Sequence, residues 1–272
     1  MENIFKIAAT HTGRFHADDV FSAALLKIIY PDIKIIRVNS LSDDFKGIAF
    51  DLPGGKYDHH SKQAECRENG IPYASFGLLW REFGTGLVGK AAAAVFDRAF
   101  IQPLDIQDNF GGSNMLCRAI TMFNLVWDSN ADSDECFFKA VEMAKTILQN
   151  EIENMKSIKR AKSLVYNALK NQKDGIVVLS GGMPWKEILI PEKVYFVVYP
   201  SDRGGYNAQA VPKAEGSQEC KKYFPEKWRG ESSELKKISG IEGLTFCHNS
   251  GYLINAKSKE EAIEACKQAL KQ

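Results

Sequence analysis

A mainly parallel α/β domain flanked by helices, a helical connector and a smaller α/β (α+β) second domain form the architecture this sequence predicts. Three observations point there. Short apolar strands alternate with one amphipathic helix before residue 51, two β-branched runs begin near residue 176, and the stretch Asp134–Lys170 between them holds neither Gly nor Pro. Strands and helices joined by short connections give a parallel sheet covered by helices. The expected division is a first domain over 1–133, a connector over 134–174 and a second domain over 175–272.

Taken in order, residues 4–10 (Ile-Phe-Lys-Ile-Ala-Ala-Thr) read as a strand running into His11. Helical spacing over Val20–Tyr30 follows Asp18 and Asp19, which stand where a helix N-terminus favours negative charge. Pro31 ends that helix. Lys34–Asn39 and Gly47–Asp51 are the second and third strands, and residues 73–100 and 113–126 are helical cover for the sheet. Asp134–Lys170 as one rod would span ~50 Å at about 1.5 Å per residue; one helix and two fit the pattern equally. Its charged run Lys156–Lys162 reads as a solvated face. In the second domain Ile176–Leu179 and Val194–Tyr199 are strand-like, Asn207–Val211 and Leu253–Asn255 less so. Residues 258–271 close the chain as a helix, with Ser258 and Glu261 forming a capping box.

Composition narrows the function. An apolar fraction of 44% and a charged fraction of 25% supply enough material for two cores. No run approaches the ~18 apolar residues of a membrane span, and Met1-Glu2-Asn3-Ile4 lacks the features of a signal peptide, so no membrane partner and a cytoplasmic location are expected. Six scattered cysteines without a C-x-x-C pair argue against a zinc ribbon or a thioredoxin-type motif, leaving reduced thiols as the expectation. A net charge of +1 lacks the basic excess used to grip long nucleic acid. A nucleic-acid substrate would therefore be a short or single-stranded piece held locally.

The reactive residues concentrate early. Of five histidines, His11, His16, His59 and His60 fall between positions 11 and 60. His11-x4-His16-x-Asp18-Asp19 puts potential ligands on the loop after the first strand and at the start of the helix. Asp51 ends the third strand, Asp58-His59-His60 follows a Pro53-Gly54-Gly55 turn, and Asp105 and Asp108 come later. Reactive loops of parallel sheets gather beyond the carboxyl ends of the strands, where His11 and Asp51 both sit. Imidazoles and carboxylates without thiolate suit Mn²⁺, Mg²⁺, Fe²⁺ or Zn²⁺ and disfavour a structural zinc. So many carboxylates would repel one another unless cations neutralised them. Two divalent ions sharing a carboxylate would do so, and would hold and deprotonate a water for attack on phosphorus. Each element alone has an ordinary explanation, the lone His as a core or surface residue and Asp-Asp as a helix cap. The combination carries the reading.

Together, His11-Thr-Gly-Arg-Phe-His16-Ala-Asp18-Asp19, Asp51 and Gly54-Gly55-Lys-Tyr57-Asp58-His59-His60 resemble the DHH phosphoesterase superfamily. Within it they are similar to the melanocyte-proliferating-gene (MYG) branch of metal-dependent hydrolases and exonucleases. The likeness extends to Asp105-x-x-Asp108-Asn109, and in the second half to Gln209-Ala-Val-Pro212, Pro225-Glu-Lys-Trp228-Arg229-Gly230, Ser239-Gly240-Ile241 and Cys247-His248-x-Ser250-Gly251-Tyr252. Two residues separate Gly55 from Asp58, a shorter loop than in that branch, which should alter the pocket rim more than the ligands.

The resemblance implies a DHH-type catalytic domain with two divalent ions, Mn²⁺ foremost. His11, His16 and Asp51 would hold one ion; Asp18, Asp51, His59 and Asp108 would hold the other, with Asp51 bridging and Asp105 the alternative to Asp108. His60 would face the scissile phosphate, and Asp58 would orient the neighbouring imidazole. The second domain would clamp substrate through Arg203, Gly204, Arg229, His248, Ser250 and Gly251, guanidinium groups beside flexible backbone being suited to phosphate capture. Arg203-Gly204 also reads as a plain turn, and Trp228 as a core residue as readily as a base-stacking one. The implied activity is phosphodiester hydrolysis by a metal-bridged hydroxide at a site between the domains. The implied substrate is RNA or a short single-stranded oligonucleotide cut from the 3′ end, and a homodimer is compatible with this. The same ions would serve a hydrolase of pyrophosphate or a dinucleotide, which the near-neutral charge mildly favours. A non-catalytic metal-dependent scaffold is a third reading, against which the complete ligand set argues.

Overall fold

The computed structural model describes residues 5–60, 65–231 and 233–271. The Met1–Ile4 start, including the first residue of the expected 4–10 strand, lies outside the described residues. The chain forms two compact units, Met1–Met155 and Lys156–Gln272. All six cysteines are free thiols, and no helix of the described residues is long and apolar enough to cross a membrane.

In the first unit β1 (Ile7–His11) lies between β2 (Lys34–Val38) and β3 (Ile48–Ala49), and both pairings are parallel. Helix α1 (Ala17–Ile29) makes the crossover from β1 to β2, the connection a parallel pair requires. The expected third strand is short because the chain turns sharply at Asp51. Cover comes from α2 (Ser75–Val88) and α3 (Lys90–Phe96), then a π-helical turn, Asp97–Ile101, leads into α4 (Gln102–Phe110). Helix α4 carries Asp105 and Asp108, and α5 (Met115–Thr121) follows it.

The long run is a single helix, α6 (Ser133–Lys170). It covers most of the stretch expected as a connector over 134–174, and the boundary between the two units falls inside it. Phe137, Ala140, Val141, Ala144, Leu148 and Ile152 recur at helical spacing and join the first core with Phe15, Phe21 and Phe76. Burying each large apolar side chain there contributes about 1.5–3 kcal/mol. Val165, further along, belongs to a second-unit cluster with Val177, Trp185 and Val197.

The second unit is built on a mixed sheet in the order β4-β5-β6-β8-β7. Its strands are β4 (Ile176–Val178), β5 (Phe196–Pro200), β6 (Tyr206–Ala210), β7 (Leu244–Cys247) and β8 (Leu253–Ala256). Only β4 and β5 run parallel. Short helices α7 (Lys186–Leu189) and α8 (Leu235–Ser239) occupy the connections. The closing helix α9 (Lys259–Leu270) starts at the expected capping box, where Glu261 N–H donates to Ser258 Oγ and Ser258 N–H donates to Glu261 Oε2. Strand β7 was not expected from the sequence. Leu-Thr-Phe-Cys alternates weakly and is irregular at Leu244/Phe246, where the register shifts against β8.

Candidate metal centre

Strand register creates the site. Ala9 lies opposite Ala49, so the next residues bring His11 and Asp51 side by side at the carboxyl ends of β1 and β3. His11 Nε2 is 3.2 Å from Asp51 Oδ2 and 3.4 Å from Asp19 Oδ2. Asp51 adopts left-handed backbone with φ 50°, a conformation that costs an L-residue about 1–2 kcal/mol. Neighbours hold it there: its N–H donates to the Tyr57 carbonyl (3.2 Å) and to Ser75 Oγ (2.9 Å). The chain then returns beside β3, Phe50 pairing with Tyr57, and delivers Asp58-His59-His60.

His59 is buried. Its Nε2 is 3.0 Å from Asp108 Oδ2, and its Nδ1 is 3.6 Å from Asp51 Oδ1 and 3.9 Å from Asp18 Oδ2. His60 lies beside it with ring centroids 4.1 Å apart and keeps 56% of its side chain exposed. Asp58 Oδ1 accepts the His60 backbone N–H and lies 3.2 Å from its Nδ1. Asp18 accepts the N–H groups of Ser75 (3.0 Å) and Phe76 (2.7 Å) at the start of α2, a favourable place for a carboxylate. Of these groups His11, Asp51, His59, His60 and Asp108 line an open pocket of about 830 Å³.

Burial and mutual repulsion set the charges. Burial, with Asp108 and Asp51 adding, pushes Asp18 well above the usual carboxylate range, and burial with Asp51 pushes Asp19 up to about 7. Burial opposes ionisation of Asp51 too, yet the hydrogen bond and charge of His11, together with His59 and His60, hold its carboxyl below the ordinary value. The hydrogen bond to Asp51 raises His11 to about 9 against the cost of burial. His59 also rises, its burial outweighed by Asp108 and Asp51. Beside Asp51, then, Asp18 and Asp19 tend to retain their protons. A divalent cation would supply the neutralisation instead.

The donor set fits such an ion. Asp19 Oδ2 and Asp51 Oδ1 are buried and accept no hydrogen bond among the described residues, an expensive state for a carboxylate oxygen. Three groups of donors converge, each with one atom per residue within 4.8 Å of the others: His11, Asp19 and Asp51; Asp18, His59 and Asp108; and Asp51, His59 and His60. All are nitrogen or oxygen donors, suited to Mn²⁺, Mg²⁺, Fe²⁺ or Zn²⁺.

The structure thus brings His11, Asp18, Asp51, Asp58, His59, His60 and Asp108 together. His16 stands apart from the three groups: it is exposed on the pocket rim, its ring centroid is 6.4 Å from that of His11, and its N–H donates to Asp19 Oδ1. Asp19 is the third member of the group that contains His11 and Asp51. Asp105 points elsewhere, its Oδ2 2.7 Å from Arg67 Nη2, so Asp108 is the carboxylate of α4 that reaches the cluster. His60 joins one donor group while remaining open to the pocket.

Asp19 stood among the potential ligands of the sequence but was assigned to neither ion, and two further contributors escaped the sequence reading. Ser75, fully buried, accepts from Asp51 N–H, donates to the Tyr57 carbonyl and lies 3.3 Å from His59 Nδ1; no motif marks it. Arg37 is a charged residue in an apolar strand, which was the available signal. Its buried guanidinium donates to the carbonyls of His11 and Gly13, pairs with Asp134 at 2.7 Å, and rests against Phe137. It thereby fixes the loop that carries the first histidines.

In the second unit, the six expected substrate residues do not gather. Tyr206 lies opposite Ala256 and Gln209 opposite Leu253, so the β5–β6 turn with Arg203 and Gly204 is at one end of the sheet and the β7–β8 turn with His248, Ser250 and Gly251 at the other. Four paired residues at about 3.3 Å each separate them. Arg203 and Gly204 form the plain turn after Pro200, Gly204 N–H donating to the Ser201 carbonyl. Arg229 does lie with the second group, packed against Gly251 so closely that a Cβ there would come 2.5 Å from its Nε. That guanidinium also donates to the Phe224 carbonyl. His248 Nδ1 is 2.8 Å from Ser250 Oγ. Trp228 is only 1% exposed and leaves no face for a base.

Comparison with known proteins places the chain. A family designated MYG1_exonuc and described as an uncharacterised protein family (UPF0160) matches residues 7–270. The protein named MYG1 exonuclease from Homo sapiens is 27% identical over 320 residues, covering 97% of this chain and 85% of the human protein. The MYG1 protein of Schizosaccharomyces pombe is 28% identical over 324 residues, covering 99% of this chain and 98% of the relative. That of Saccharomyces cerevisiae is 25% identical over 323 residues, covering 97% and 96%. No solved structure matches. With nearly its whole length matched and the histidine–aspartate cluster inside that match, this chain belongs to the MYG1_exonuc family.

Proposed function

We propose that this protein is a DHH-type, metal-dependent phosphodiesterase that removes nucleotides from the 3′ end of RNA or short single-stranded oligonucleotides. The observation that carries the reading is the left-handed Asp51, whose carboxylate belongs to two of the three donor groups. Kinship along 97% of the chain to a protein named as an exonuclease supports a nuclease, and with it an enzyme of the hydrolase class. Two divalent ions, Mn²⁺ foremost, are proposed. His11, Asp19 and Asp51 would hold one, with His16 within reach at the rim; Asp18, His59 and Asp108 would hold the other. When bound, such ions neutralise phosphoryl charge and lower the pKa of water.

The chain's own groups do the rest. Asp58 orients His60, whose exposed imidazole can donate a hydrogen bond to a phosphate oxygen as charge develops there. Ser75 and Tyr57 hold the Asp51 backbone, and Arg37 holds the His11 loop. In the second unit the Arg229, His248, Ser250 and Gly251 group is the proposed substrate contact, with the Arg203-Gly204 turn separate from it.

A Mn²⁺ assay on short oligonucleotides, a dinucleotide and pyrophosphate tests the proposal. Asp51→Ala should lower turnover about 10³-fold, some 4 kcal/mol of barrier, and retained full activity would remove Asp51 from the centre. Turnover of pyrophosphate alone would shift the substrate to small phosphate compounds. His60→Ala should keep metal in equilibrium dialysis while turnover falls about 10²-fold. Loss of metal instead would make His60 a ligand.

A further inference from the structure

Half of the large apolar side chains exposed among the described residues lie between positions 106 and 127. Trp127 is the extreme case at 96% exposure, with Phe110, Met115 and Met122 each above two-thirds. Scattered exposed apolar residues need no explanation, but a concentration beside a polar site marks a binding surface. On α5 and just past its end, Met115, Arg118 and Met122 fall on one outward stripe, while Cys117 and Ile120 face the core. A groove of about 260 Å³ runs along this stripe, and it shares Gln107, Cys117 and Thr121 with the pocket of the metal centre.

The only charged residue lining that groove is Arg118. It is exposed, and its guanidinium has no ion-pair or hydrogen-bond partner among the described residues. The turn after α5 is anchored to the metal loop: Phe15 N–H donates to Asn124 Oδ1 at 3.0 Å, and Asn124 Nδ2 donates to the Phe15 carbonyl at 2.8 Å. Phe15 immediately precedes His16, so the segment carrying Trp127 leaves the rim of the pocket from a fixed point. A cation without a partner, apolar faces around it and direct continuity with a phosphodiesterase pocket match what a single strand needs. Single-strand sites combine phosphate-tracking cations with side chains on which bases stack. A protein partner would need the apolar side chains joined into one seam, whereas here a cation interrupts them.

We infer that the outward face of α5 and the turn that follows bind the nucleotides of a single strand adjacent to the one being cleaved, Arg118 taking a phosphate and Trp127 stacking on a base. This rests on the phosphodiesterase reading and extends it. It also explains how a chain of net charge +1 grips nucleic acid locally, without a basic surface.

Tryptophan fluorescence tests it directly, because Trp80, Trp185 and Trp228 are buried and Trp127 alone is open to a base. The Mn²⁺-loaded full chain is titrated with a single-stranded oligonucleotide of about 8 nucleotides, phosphorothioate-linked to slow hydrolysis. Emission should be quenched, and Trp127→Ala should abolish the quenching. Trp127→Ala and Arg118→Glu should each raise KM for the unmodified oligonucleotide about tenfold and leave dinucleotide hydrolysis unchanged. Arg118→Ala should reduce the salt dependence of binding by about one ion. Both side chains are exposed, so the variants should fold.

Equal losses on dinucleotide and oligonucleotide, or none on either, overturn the inference while the phosphodiesterase reading stands. Wild-type protein that hydrolyses neither substrate overturns both. Shielding of Trp127 from iodide that depends on protein concentration, with no oligonucleotide effect, assigns the surface to contact between copies and also overturns it.

Discussion

Two clusters of buried acid lie within the first unit, and α4 contributes to both. In one, Asp97 and Asp105 flank Arg67, each with a carboxylate oxygen 2.7 Å from its Nη2. The guanidinium also donates to the Pro72 carbonyl and stacks on Tyr73 at 4.0 Å. Gly77 makes the approach possible, since a Cβ there would come 2.1 Å from Asp105 Oδ2. In the other cluster Asp18, Asp19, Asp51 and Asp108 face imidazoles, with no arginine or lysine in the donor groups. One cluster carries its own covalently attached cation. The other has room for a mobile one. Buried acids in the same fold are therefore structural or chemical according to whether a permanent cation stands among them.

The sharpest way to break that comparison is to remove the fixed cation. Arg67→Ala should destabilise the protein by about 3–5 kcal/mol by leaving Asp105 buried without its partner, read as a lowered midpoint in urea. Its response to Mn²⁺ should persist. A variant of normal stability, or one that no longer responds to metal, would merge the two clusters into one.

Next in size is the metal response. Mn²⁺ at about 100 times its dissociation constant should stabilise the wild type by about 2.7 kcal/mol and Asp51→Ala far less. In chelator, stability should decline as pH rises from about 4 to about 9. Burial holds Asp19 near 7, above its ordinary 3.8, so the native state keeps a proton that it loses as pH passes 7. The bond to Asp51 holds His11 near 9, so that stabilisation is whole below 6.5 and gone above about 9. Asp51, held low, is ionised throughout this window and contributes no slope. Mn²⁺ should oppose the decline because it binds the deprotonated donors. Thermal melts of wild type and Asp19→Asn across this range check the sign. A chelated wild type no less stable at pH 9 than Asp19→Asn would contradict it.

The smallest effect distinguishes the two histidines of the first loop. His16→Ala should weaken Mn²⁺ binding by less than about tenfold and His11→Ala by more, measured by calorimetric titration. Equal losses would mean that the His16 ring swings inward on metal binding and ligates after all.

Much of this was legible in the residues. The alternation of strand, helix and strand foretold the parallel sheet, and Asp51 and Asp58-His59-His60 declared themselves by position and by their company of imidazoles. Sequence spacing could not choose between Asp105 and Asp108, because three residues on a helix reach neighbouring directions and only Arg67, distant in sequence, claims one of them. Nor could it find Ser75, an unmarked serine that becomes a hub once α2 starts beside Asp18. In the second unit the strand pairing, invisible in a linear reading, sends the Arg203 and His248 turns to opposite ends of one sheet.

By itself, then, the sequence determined which chemical groups are present and which strand ends carry them, since periodicity, caps and turn residues are local properties. The tertiary structure alone decided which acid is paired with arginine, which histidine stands outside the cluster and which aspartate joins His11 and Asp51. Those outcomes depend on distances between segments far apart in the chain. Over a few ångströms, burial and Coulomb energy change by more than any local preference, and no local pattern encodes them.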